Sequence, residues 1–287
     1  MKRLCRQQEE IMRIEVRDVA QDGSNSDVRL CTHIMDGSEE LFVKERPLVL
    51  VCPGGGYVMT SDREADAVAV QFNAMGFHSA VLRYSVAPAE YPTALLELGD
   101  SLLHIRKNAR KWRVDPNKII LVGFSAGAHL VCSYCCFWKE AFISEKLGLS
   151  PERLEELRPN GMILGYPVIT SGEFAHADSI DNLLGKMAGD EKLRAKMSLE
   201  DQISDSVPRT FIWHTCDDEL VPVQNTLLLM ESLIKKGIST ECHIFEKGRH
   251  GLSMADWYTV DKDGWGTEPN CQIWIELVRK WMNYYVS

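Results

Sequence analysis

The sequence predicts an α/β fold with a mainly parallel central sheet and helices on both faces. From residue 47 onward, short apolar runs of strand length alternate with longer amphipathic segments, and Gly or Pro bounds the runs. Strands that alternate with helices imply right-handed β-α-β crossovers, which make the strands parallel. No linker-like stretch and no internal repeat divides the series. We therefore expect one domain that spans residues 1–287.

The strands are predicted from short runs of apolar residues. Two β-like stretches at 11–19 and 28–35 flank the turn-rich sequence QDGSNSD, which predicts an antiparallel edge. The runs that have the length of buried strands lie at 48–52, 78–83, 118–122, 161–164, 210–214 and 241–245.

The helices are predicted from amphipathic spacing. In one of them Leu95, Leu98 and Leu102 recur at three- and four-residue steps, which places them in one apolar stripe that packs on a sheet. The predicted helices lie at 64–75, 92–112, 125–138, 223–236 and 271–285. The polar and charged segment 174–206 is expected to form a cap-like insertion over one end of the sheet.

Charge and composition argue against several classes of protein. The chain has 32 Lys+Arg and 41 Asp+Glu, a net charge of −9. This sign disfavours nucleic-acid binding and polybasic membrane binding, since both need positive charge facing phosphates. The segment 119–138 carries no charged residue, but the sequence GFSAGAH at its centre favours two buried elements joined by a turn over a membrane span. The N-terminal MKRLCRQQEE has no apolar stretch behind it, so we expect no signal peptide and a cytoplasmic protein.

The nine cysteines are odd in number and lie mostly in apolar stretches. This pattern favours reduced core thiols over a secreted disulfide framework. The one Cys-x-x-Cys, Cys132 to Cys135, has no second pair to complete a metal site, so core packing is the better interpretation.

The sequence Gly123-Phe124-Ser125-Ala126-Gly127 lies between the predicted strand 118–122 and the helix that follows. A Gly-x-Ser-x-Gly sequence at a strand-to-helix turn lets the Ser adopt a strained backbone with its hydroxyl exposed. The alternative is a tight glycine turn with an incidental serine. The strand–turn–helix context favours a nucleophile at Ser125.

A second glycine motif, PGGGY at 53–57, directly follows the predicted strand 48–52. Negative charge on a tetrahedral intermediate needs fixed N–H donors, and consecutive glycines let the backbone approach a substrate closely. A phosphate-binding loop is disfavoured, because the Lys-Ser/Thr ending of a Walker loop and the spacing of a dinucleotide fingerprint are both missing. A flexible loop would not explain why the glycines begin where a buried strand ends.

Two more motifs, HTCDDELVP at 214–222 and GRHG at 248–251, lie after predicted strands. Because the carboxyl ends of parallel strands meet at one edge of a sheet, we expect all these turns to converge there. Ser125, Asp218 and His250 occur in the chain order of the α/β-hydrolase triad, unlike the order in chymotrypsin or subtilisin.

From residue 47 to 285 the chain resembles the α/β-hydrolase superfamily. Within it, PGGGY, GFSAGAHL, HTCDDELVP and RHG are similar to the small esterases related to acetyl-xylan and feruloyl esterases, and more distantly to the hormone-sensitive-lipase group. The lipase group usually has His where Pro53 stands, so Pro53 is typical of the acetyl-esterase-like branch.

The resemblance implies a role for each motif residue. It makes Ser125 the nucleophile, His250 the base and Asp218 the acid that orients it. The family pattern of Asp, two further residues and Val-Pro selects Asp218, which leaves Asp217 as a turn residue. The implied oxyanion donors are the amide of Ala126 together with that of Gly55 or Gly56.

The implied activity is that of a serine esterase acting through an acyl-enzyme, without metal or organic cofactor. Its partner is a small-molecule ester with a short acyl chain, such as acetyl on an acylated oligosaccharide. A peptidase of the prolyl-oligopeptidase kind and a non-catalytic small-molecule receptor with a hydrolase fold remain alternatives. The oligomeric state stays open, because the first ten residues and the final helix offer surfaces that would join subunits, while the aromatic residues of that helix would equally cover the sheet.

Other candidate residues are interpreted as structural. His129 is expected to pack along its helix, and the remaining histidines outside RHG, including His214 at a strand end, have a core or surface role by default. The sequence DKDG at 261–264 lacks the Glu that completes a calcium loop, so a turn is favoured. Trp257, Tyr258 and Trp265 either wall an acyl or sugar pocket or pack against the last helix.

Overall fold

A computed structural model describes residues 12–286, and its centre is one eight-stranded sheet. The strands are β1 Met12–Arg17, β2 Arg29–Met35, β3 Arg46–Cys52, β4 His78–Arg83, β5 Val114–Phe124, β6 Gly161–Gly165, β7 Thr210–Thr215 and β8 Thr240–Phe245. Their order is β1-β2-β4-β3-β5-β6-β7-β8. Strand β2 pairs antiparallel with β1 and β4, and all other pairs are parallel. The predicted parallel sheet with an antiparallel edge is confirmed.

Eight α-helices are described in residues 12–286. They are α1 Asp66–Ala74, α2 Thr93–Trp112, α3 Ala126–Phe137, α4 Ala141–Lys146, α5 Ala177–Leu184, α6 Glu191–Lys196, α7 Gln224–Lys235 and α8 Trp274–Trp281. Short 3-10 helices cover Asp62–Glu64, Pro151–Leu157, Gly185–Met187, Leu199–Gln202 and Met282–Tyr285. Within this described part, no helix combines the length and apolar character needed to cross a bilayer.

Strand β3 shows why helices cover both faces of the sheet. Leu48 and Leu50 belong to the apolar cluster on one face, and Val49 and Val51 belong to the cluster on the other. Side chains alternate across a strand, so a strand that is apolar at successive positions must be covered on both faces. Helices α2, α3 and α7 contribute to the first cluster, and α1 and α8 contribute to the second.

The strand predicted at 118–122 begins earlier, at Val114. A bulge separates the pair Arg46–Val114 from the pair Leu48–Ile119, so four residues of β5 lie opposite one residue of β3. Pro116 lies in this irregular stretch, where its missing N–H leaves no ladder bond unmade. The sequence DPN at 115–117 is typical of a turn, so the earlier start of the strand was not predicted.

Two predicted helices are shorter than expected. The helix predicted at 64–75 begins at Asp66, because Ala65 has φ −103° and ψ −111°, outside the helical region. The helix predicted at 271–285 is α-helical only over Trp274–Trp281 and ends in a 3-10 turn.

The eight cysteines in the described part of the chain are free thiols. Cys132 and Cys135 are both buried in α3, and burial raises the pKa of the Cys135 thiol well above its ordinary value. The prediction of core thiols agrees with the five buried cysteines, which are Cys52, Cys132, Cys135, Cys136 and Cys271. It is wrong for Cys216, which is exposed, and Cys31 and Cys242 are only partly buried. Cys5, residue 11 of the first predicted strand and the proposed contact surface of the first ten residues lie outside the described residues.

Candidate active site

The loops that carry the sequence motifs follow the carboxyl ends of parallel strands. The PGGGY loop follows β3, the GFSAG turn follows β5, and the DDELVP and RHG loops follow β7 and β8. Because these strands run parallel in one sheet, their carboxyl ends lie along the same edge. Hydrogen bonds between the loops, described below, show that the expected convergence is present.

Ser125 lies between the last residue of β5 and the first residue of α3. Its φ of +52° and ψ of −119° are unusual for a residue with a side chain. Its amide donates to the carbonyl of Gly165 at 3.0 Å, and its carbonyl accepts from the amide of His129 at 3.1 Å. These bonds to β6 and α3 hold the strained turn that a nucleophile at this position requires.

The two glycines of this turn are required by close packing of the backbone. A Cβ on Gly123 would lie 2.4 Å from the carbonyl oxygen of Gly127. A Cβ on Gly127 would lie 2.2 Å from the carbonyl oxygen of Cys52, at the end of β3. Neither position has room for a side chain, so the motif brings the serine turn directly against the start of the PGGGY loop.

His250 connects Ser125 to Asp218. Its Nε2 lies 2.7 Å from Ser125 Oγ, and its Nδ1 lies 2.7 Å from Asp218 Oδ2. A carboxylate only accepts hydrogen bonds, so Nδ1 donates, and in the neutral imidazole Nε2 then accepts from the serine hydroxyl. The three residues selected from the sequence are therefore brought together in the order acid, imidazole and hydroxyl.

Asp218 is fixed by four hydrogen bonds. Oδ1 accepts from the amides of Leu220 and Val221, at 3.0 and 2.9 Å. Oδ2 accepts from His250 and from His214 Nε2, the latter at 3.2 Å. Burial by itself raises the pKa of Asp218, but the hydrogen bonds from His214 and His250 outweigh it and hold the pKa below its ordinary value. The carboxylate is thus kept ionised and in one orientation.

Asp217 has a different task from its neighbour. Its Oδ1 accepts from the amide of Gly248 at 2.7 Å, which ties the loop after β7 to the loop that carries His250. The choice of Asp218 over Asp217 as the partner of His250 therefore agrees with the geometry.

His214 contacts the site, which the sequence did not reveal. It is fully buried, and its Nε2 faces both Asp218 Oδ2 and the carbonyl of Val221 at 3.0 Å. Two acceptors at Nε2 mean that this nitrogen carries the proton, so Nδ1 accepts from Thr226 Oγ1 at 2.8 Å. The only available signal was its position at the end of β7, four residues before the aspartate.

The PGGGY loop lies beside Ser125. A Cβ on Gly54 would be 2.8 Å from Ser125 Cβ, and the Gly54 amide donates to Glu64 Oε2 at 2.8 Å. The Gly55 carbonyl accepts from the amide of Met59, and φ at Gly55 is +133°. These bonds fix the loop next to the serine; oxyanion binding by Gly55, Gly56 and Ala126 stays a proposal.

Glu64 and Tyr166 are site residues that sequence reasoning missed. The buried Glu64 carboxylate accepts from the Gly54 amide and, at 2.6 Å, from Tyr166 Oη. The Tyr166 ring lies edge-on to the His250 ring with centroids 5.0 Å apart, and Tyr166 Oη accepts from the Ser253 amide at 2.8 Å. One carboxylate therefore links the PGGGY loop to the wall behind the imidazole.

The segment 174–206 lies against the same loop. It contains α5, α6 and two 3-10 turns, and Asn182 Nδ2 donates to the Gly56 carbonyl at 2.9 Å. His129 contacts both the PGGGY loop and the segment 174–206. Its Nδ1 lies 3.1 Å from Tyr57 Oη, and its Nε2 lies 3.1 Å from the Met197 carbonyl. Burial lowers the pKa of His129 to about 4, so this histidine is a neutral packing residue, as expected.

His176, at the start of α5, is close enough to His250 for their charges to interact. Burial, and then the charge of His250, lowers the pKa of His176. Its Nδ1 lies 2.8 Å from Ser179 Oγ, so it caps the helix. No residue near His176 in the sequence indicated this placement.

The aromatic residues after His250 separate into two groups. Trp265 lines a cleft beside His250, whereas Trp257 and Tyr258 contact each other outside the lining of that cleft. The DKDG sequence forms the expected turn, in which Asp261 Oδ1 accepts from the amide of Asp263 at 2.9 Å.

In the part of the chain that the structure describes, one group of three side chains lies close enough together to hold a metal ion. Its members are Cys31, His33 and Asp66. His33 Nε2 lies 3.2 Å from Asp66 Oδ1, and Asp66 also faces the guanidinium of Arg83 at 3.6 Å. The Arg83 charge beside Asp66 opposes a cation there, so we interpret the group as an ion-pair cluster.

One family model and two relatives match most of this chain. Residues 40–233 match the family model BD-FAE. The chain is 37% identical over 217 residues to endo-1,4-beta-xylanase B of Butyrivibrio fibrisolvens, and 30% identical over 233 residues to an acetylxylan esterase of Xylanibacter ruminicola. These alignments cover 74% and 78% of this chain, but only 33% and 45% of the two relatives. The chain therefore spans less than half of the length of either.

A solved structure agrees over nearly the whole fold. The acetyl ester-xyloside bifunctional hydrolase from Caldicellulosiruptor lactoaceticus superposes with a TM-score of 0.75 at 35% sequence identity. The superposition covers 90% of this chain and 88% of that one, so the resemblance extends beyond the motifs to the whole arrangement of strands and helices.

Proposed function

Because this chain belongs to the BD-FAE family and has the α/β-hydrolase fold, we propose that it is a serine esterase that cleaves short-chain acyl esters through an acyl-enzyme. The observation that carries the proposal is the continuous set of hydrogen bonds from Asp218 through His250 to Ser125. An isolated serine hydroxyl is a weak nucleophile, and an adjacent oriented base is what activates it.

In the first step Ser125 Oγ attacks the ester carbonyl carbon while His250 Nε2 takes the hydroxyl proton. Asp218 holds the imidazole in the tautomer with the proton on Nδ1 and stabilises the imidazolium that forms. The imidazolium then gives its Nε2 proton to the leaving alkoxide, so that the alcohol departs and an acyl-Ser125 ester remains. Water attacks this ester with His250 as base, and the acid and the free serine are released.

The charge that develops on the carbonyl oxygen needs donors placed before the reaction. Ala126 is the first residue of α3, and the first N–H groups of a helix have no partner within the helix. We assign the oxyanion to the amide of Ala126 together with that of Gly55 or Gly56. The Gly54 amide is excluded from this role because it donates to Glu64.

The names of the relatives support an acetylated carbohydrate as the substrate class. One is an acetylxylan esterase, and the structural neighbour is named for acetyl ester and xyloside hydrolysis. A peptidase of the prolyl-oligopeptidase kind shares the catalytic chemistry but has no such support. A non-catalytic receptor would have no need for a serine held at φ +52° against an oriented imidazole.

The proposal is tested by the rate of p-nitrophenyl acetate hydrolysis. Ser125→Ala is expected to lower kcat by at least about 10⁴-fold, the order of loss on removing a triad nucleophile, with an unchanged circular dichroism spectrum. Ser133→Ala in the same helix is the matched control, since the buried Ser133 hydroxyl has no hydrogen-bond partner. An undiminished rate in folded Ser125→Ala protein contradicts the proposal.

A further inference from the structure

A cleft of about 770 Å³ opens beside His250, and the proposed mechanism does not place any part of the substrate in it. This volume lies within the range of roughly 300–1,000 Å³ that is typical of small-molecule sites. Its walls come from the loops after β7 and β8, from the turn at 261–266 and from Arg63 beside α1. Residues 249–266 of this wall lie beyond residues 40–233 of the family match.

The position of the cleft relates it to the leaving group. His250 returns its Nε2 proton to the departing alcohol, so the alcohol half of the ester must lie against the imidazole when the carbonyl carbon is at Ser125. His250 is one of the residues that line the cleft. Because the proposed acyl group is short, a cleft of this size beside His250 suits the alcohol half of the substrate.

The chemistry of the lining selects a neutral polyhydroxylated group. Charged side chains dominate the lining, and these are Arg63, Asp217, Glu219, Arg249, Asp261 and Asp263. Four carboxylates against two guanidinium groups disfavour an anion, and the scarcity of aliphatic surface disfavours a long hydrocarbon chain. Carboxylates accept and guanidinium groups donate, which matches hydroxyl groups that do both.

One aromatic ring completes the cleft and suits a sugar ring. Trp265 is 58% exposed, and the Arg249 guanidinium lies 4.9 Å from the centroid of its ring. The backbone beneath it is fixed, because Asp261 Oδ1 accepts from the Trp265 amide at 2.8 Å and the Asp261 amide donates to the Trp265 carbonyl at 2.7 Å. A preorganised aromatic surface binds the C–H face of a ring at little cost in conformational entropy.

We propose that this cleft is the leaving-group subsite and that it takes a neutral sugar ring, with Trp265 as the stacking surface and Arg249 holding that indole in place. The inference rests on the proposed esterase activity and names the part of the chain that selects the alcohol. Specificity then depends on residues outside the catalytic triad.

The test compares two acetate esters that differ only in the alcohol. Partially acetylated xylotriose has an alcohol half large enough to reach Trp265, and ethyl acetate has one that is too small. Trp265→Ala is expected to lower the ratio of kcat/KM for acetylated xylotriose to kcat/KM for ethyl acetate by about tenfold or more, mainly through KM. Trp265→Phe keeps an aromatic surface and is expected to retain most of the ratio, which separates stacking from folding of the turn.

Trp257→Ala is the matched control. Trp257 is 80% exposed, follows the same histidine and contacts Tyr258 outside the cleft lining, so this variant is expected to leave the ratio unchanged. If the wild-type protein cleaves ethyl acetate and Trp265→Ala keeps the wild-type ratio, the subsite assignment is overturned while the esterase stands. If folded wild-type protein cleaves neither ester, the proposed function fails and the subsite with it.

Discussion

Two parts of this molecule combine a carboxylate, an imidazole and a nucleophilic atom, yet only one has the geometry of a catalyst. At the carboxyl edge of the sheet, Asp218 and Ser125 contact opposite nitrogens of His250. On β2 and α1, Asp66 Oδ1 and Cys31 Sγ both face the same nitrogen of His33, at 3.2 and 4.0 Å. A base must hold its orienting acid on one nitrogen and its proton donor on the other, so residue types alone do not make a triad.

Charge, like geometry, distinguishes the His33 cluster from the His250 cluster. Hydrogen bonds that His33 donates to Asp66 and then to Cys31 raise the pKa of His33 to about 9, so near neutral pH His33 is an imidazolium without a free lone pair. Asp66 is half exposed and is shared with Arg83, whereas the Asp218 side chain is fully buried. The cluster of Asp218, His250 and Ser125 is suited to catalysis. The His33 cluster is an ion pair that contributes to stability.

The largest expected difference between the clusters concerns their carboxylates. Asp218→Asn is expected to lower kcat for p-nitrophenyl acetate by about 10⁴-fold, because an amide at this position favours the wrong tautomer of His250. Asp66→Asn makes the same change at the other cluster and is expected to leave kcat within about twofold. Steady-state kinetics of both variants checks this, and equal losses in the two would contradict the assignment.

A smaller effect is expected at Glu64, which has no counterpart in the His33 cluster. Glu64→Gln replaces one of the two acceptor oxygens by an N–H₂ group, which only donates. The side chain then keeps an acceptor for the Gly54 amide or for Tyr166 Oη, but not for both. Misplacement of the PGGGY loop is expected to lower kcat by up to about 10²-fold with little change in KM.

Tyr166→Phe is the matched comparison for Glu64→Gln, since it removes one of the two bonds and keeps the ring against His250. Its loss is expected to be the smaller of the two in the same assay. A rate for Glu64→Gln equal to that of the wild type would remove Glu64 from the positioning machinery.

The smallest effect concerns the pH dependence of stability at the His33 cluster. Because the pKa of His33 is raised from 6.5 to about 9 on folding, its contribution is fully present below pH 6.5 and is lost as pH rises through 9. Urea unfolding should therefore show that Asp66→Asn destabilises the protein more at pH 6 than near pH 9.5, where the contact with Arg83 is what the variant still loses. A difference that grows with pH would reverse the sign and refute the ion pair.

Most of the fold was predictable because the signals are local. The strand His78–Arg83 was predicted to the residue, since an apolar run between turn residues needs no partner to be recognised. The start of β5 at Val114 was missed because the bulge that admits Pro116 depends on pairing with β3. The break at Ala65 was missed because Glu64 is drawn to the Gly54 amide rather than into a helix.

The candidate site was predictable where a motif carries the chemistry. Ser125, Asp218 and His250 each lie in a short sequence with a recognised spacing. Glu64 and Tyr166 are 102 positions apart in sequence, and nothing near either one indicates their hydrogen bond. His214 looked like a strand residue because its contact with Asp218 exists only once the loop after β7 folds back.

The central claim is that the geometry around His250 activates Ser125, and labelling with a fluorophosphonate measures this most directly. The probe reacts with activated serines, and mass spectrometry of the digested protein locates the adduct. We predict one adduct, on Ser125, that forms far more slowly in Asp218→Asn and at the wild-type rate in Asp66→Asn. Folded protein that carries no adduct, or an adduct that persists in Ser125→Ala, would contradict the account.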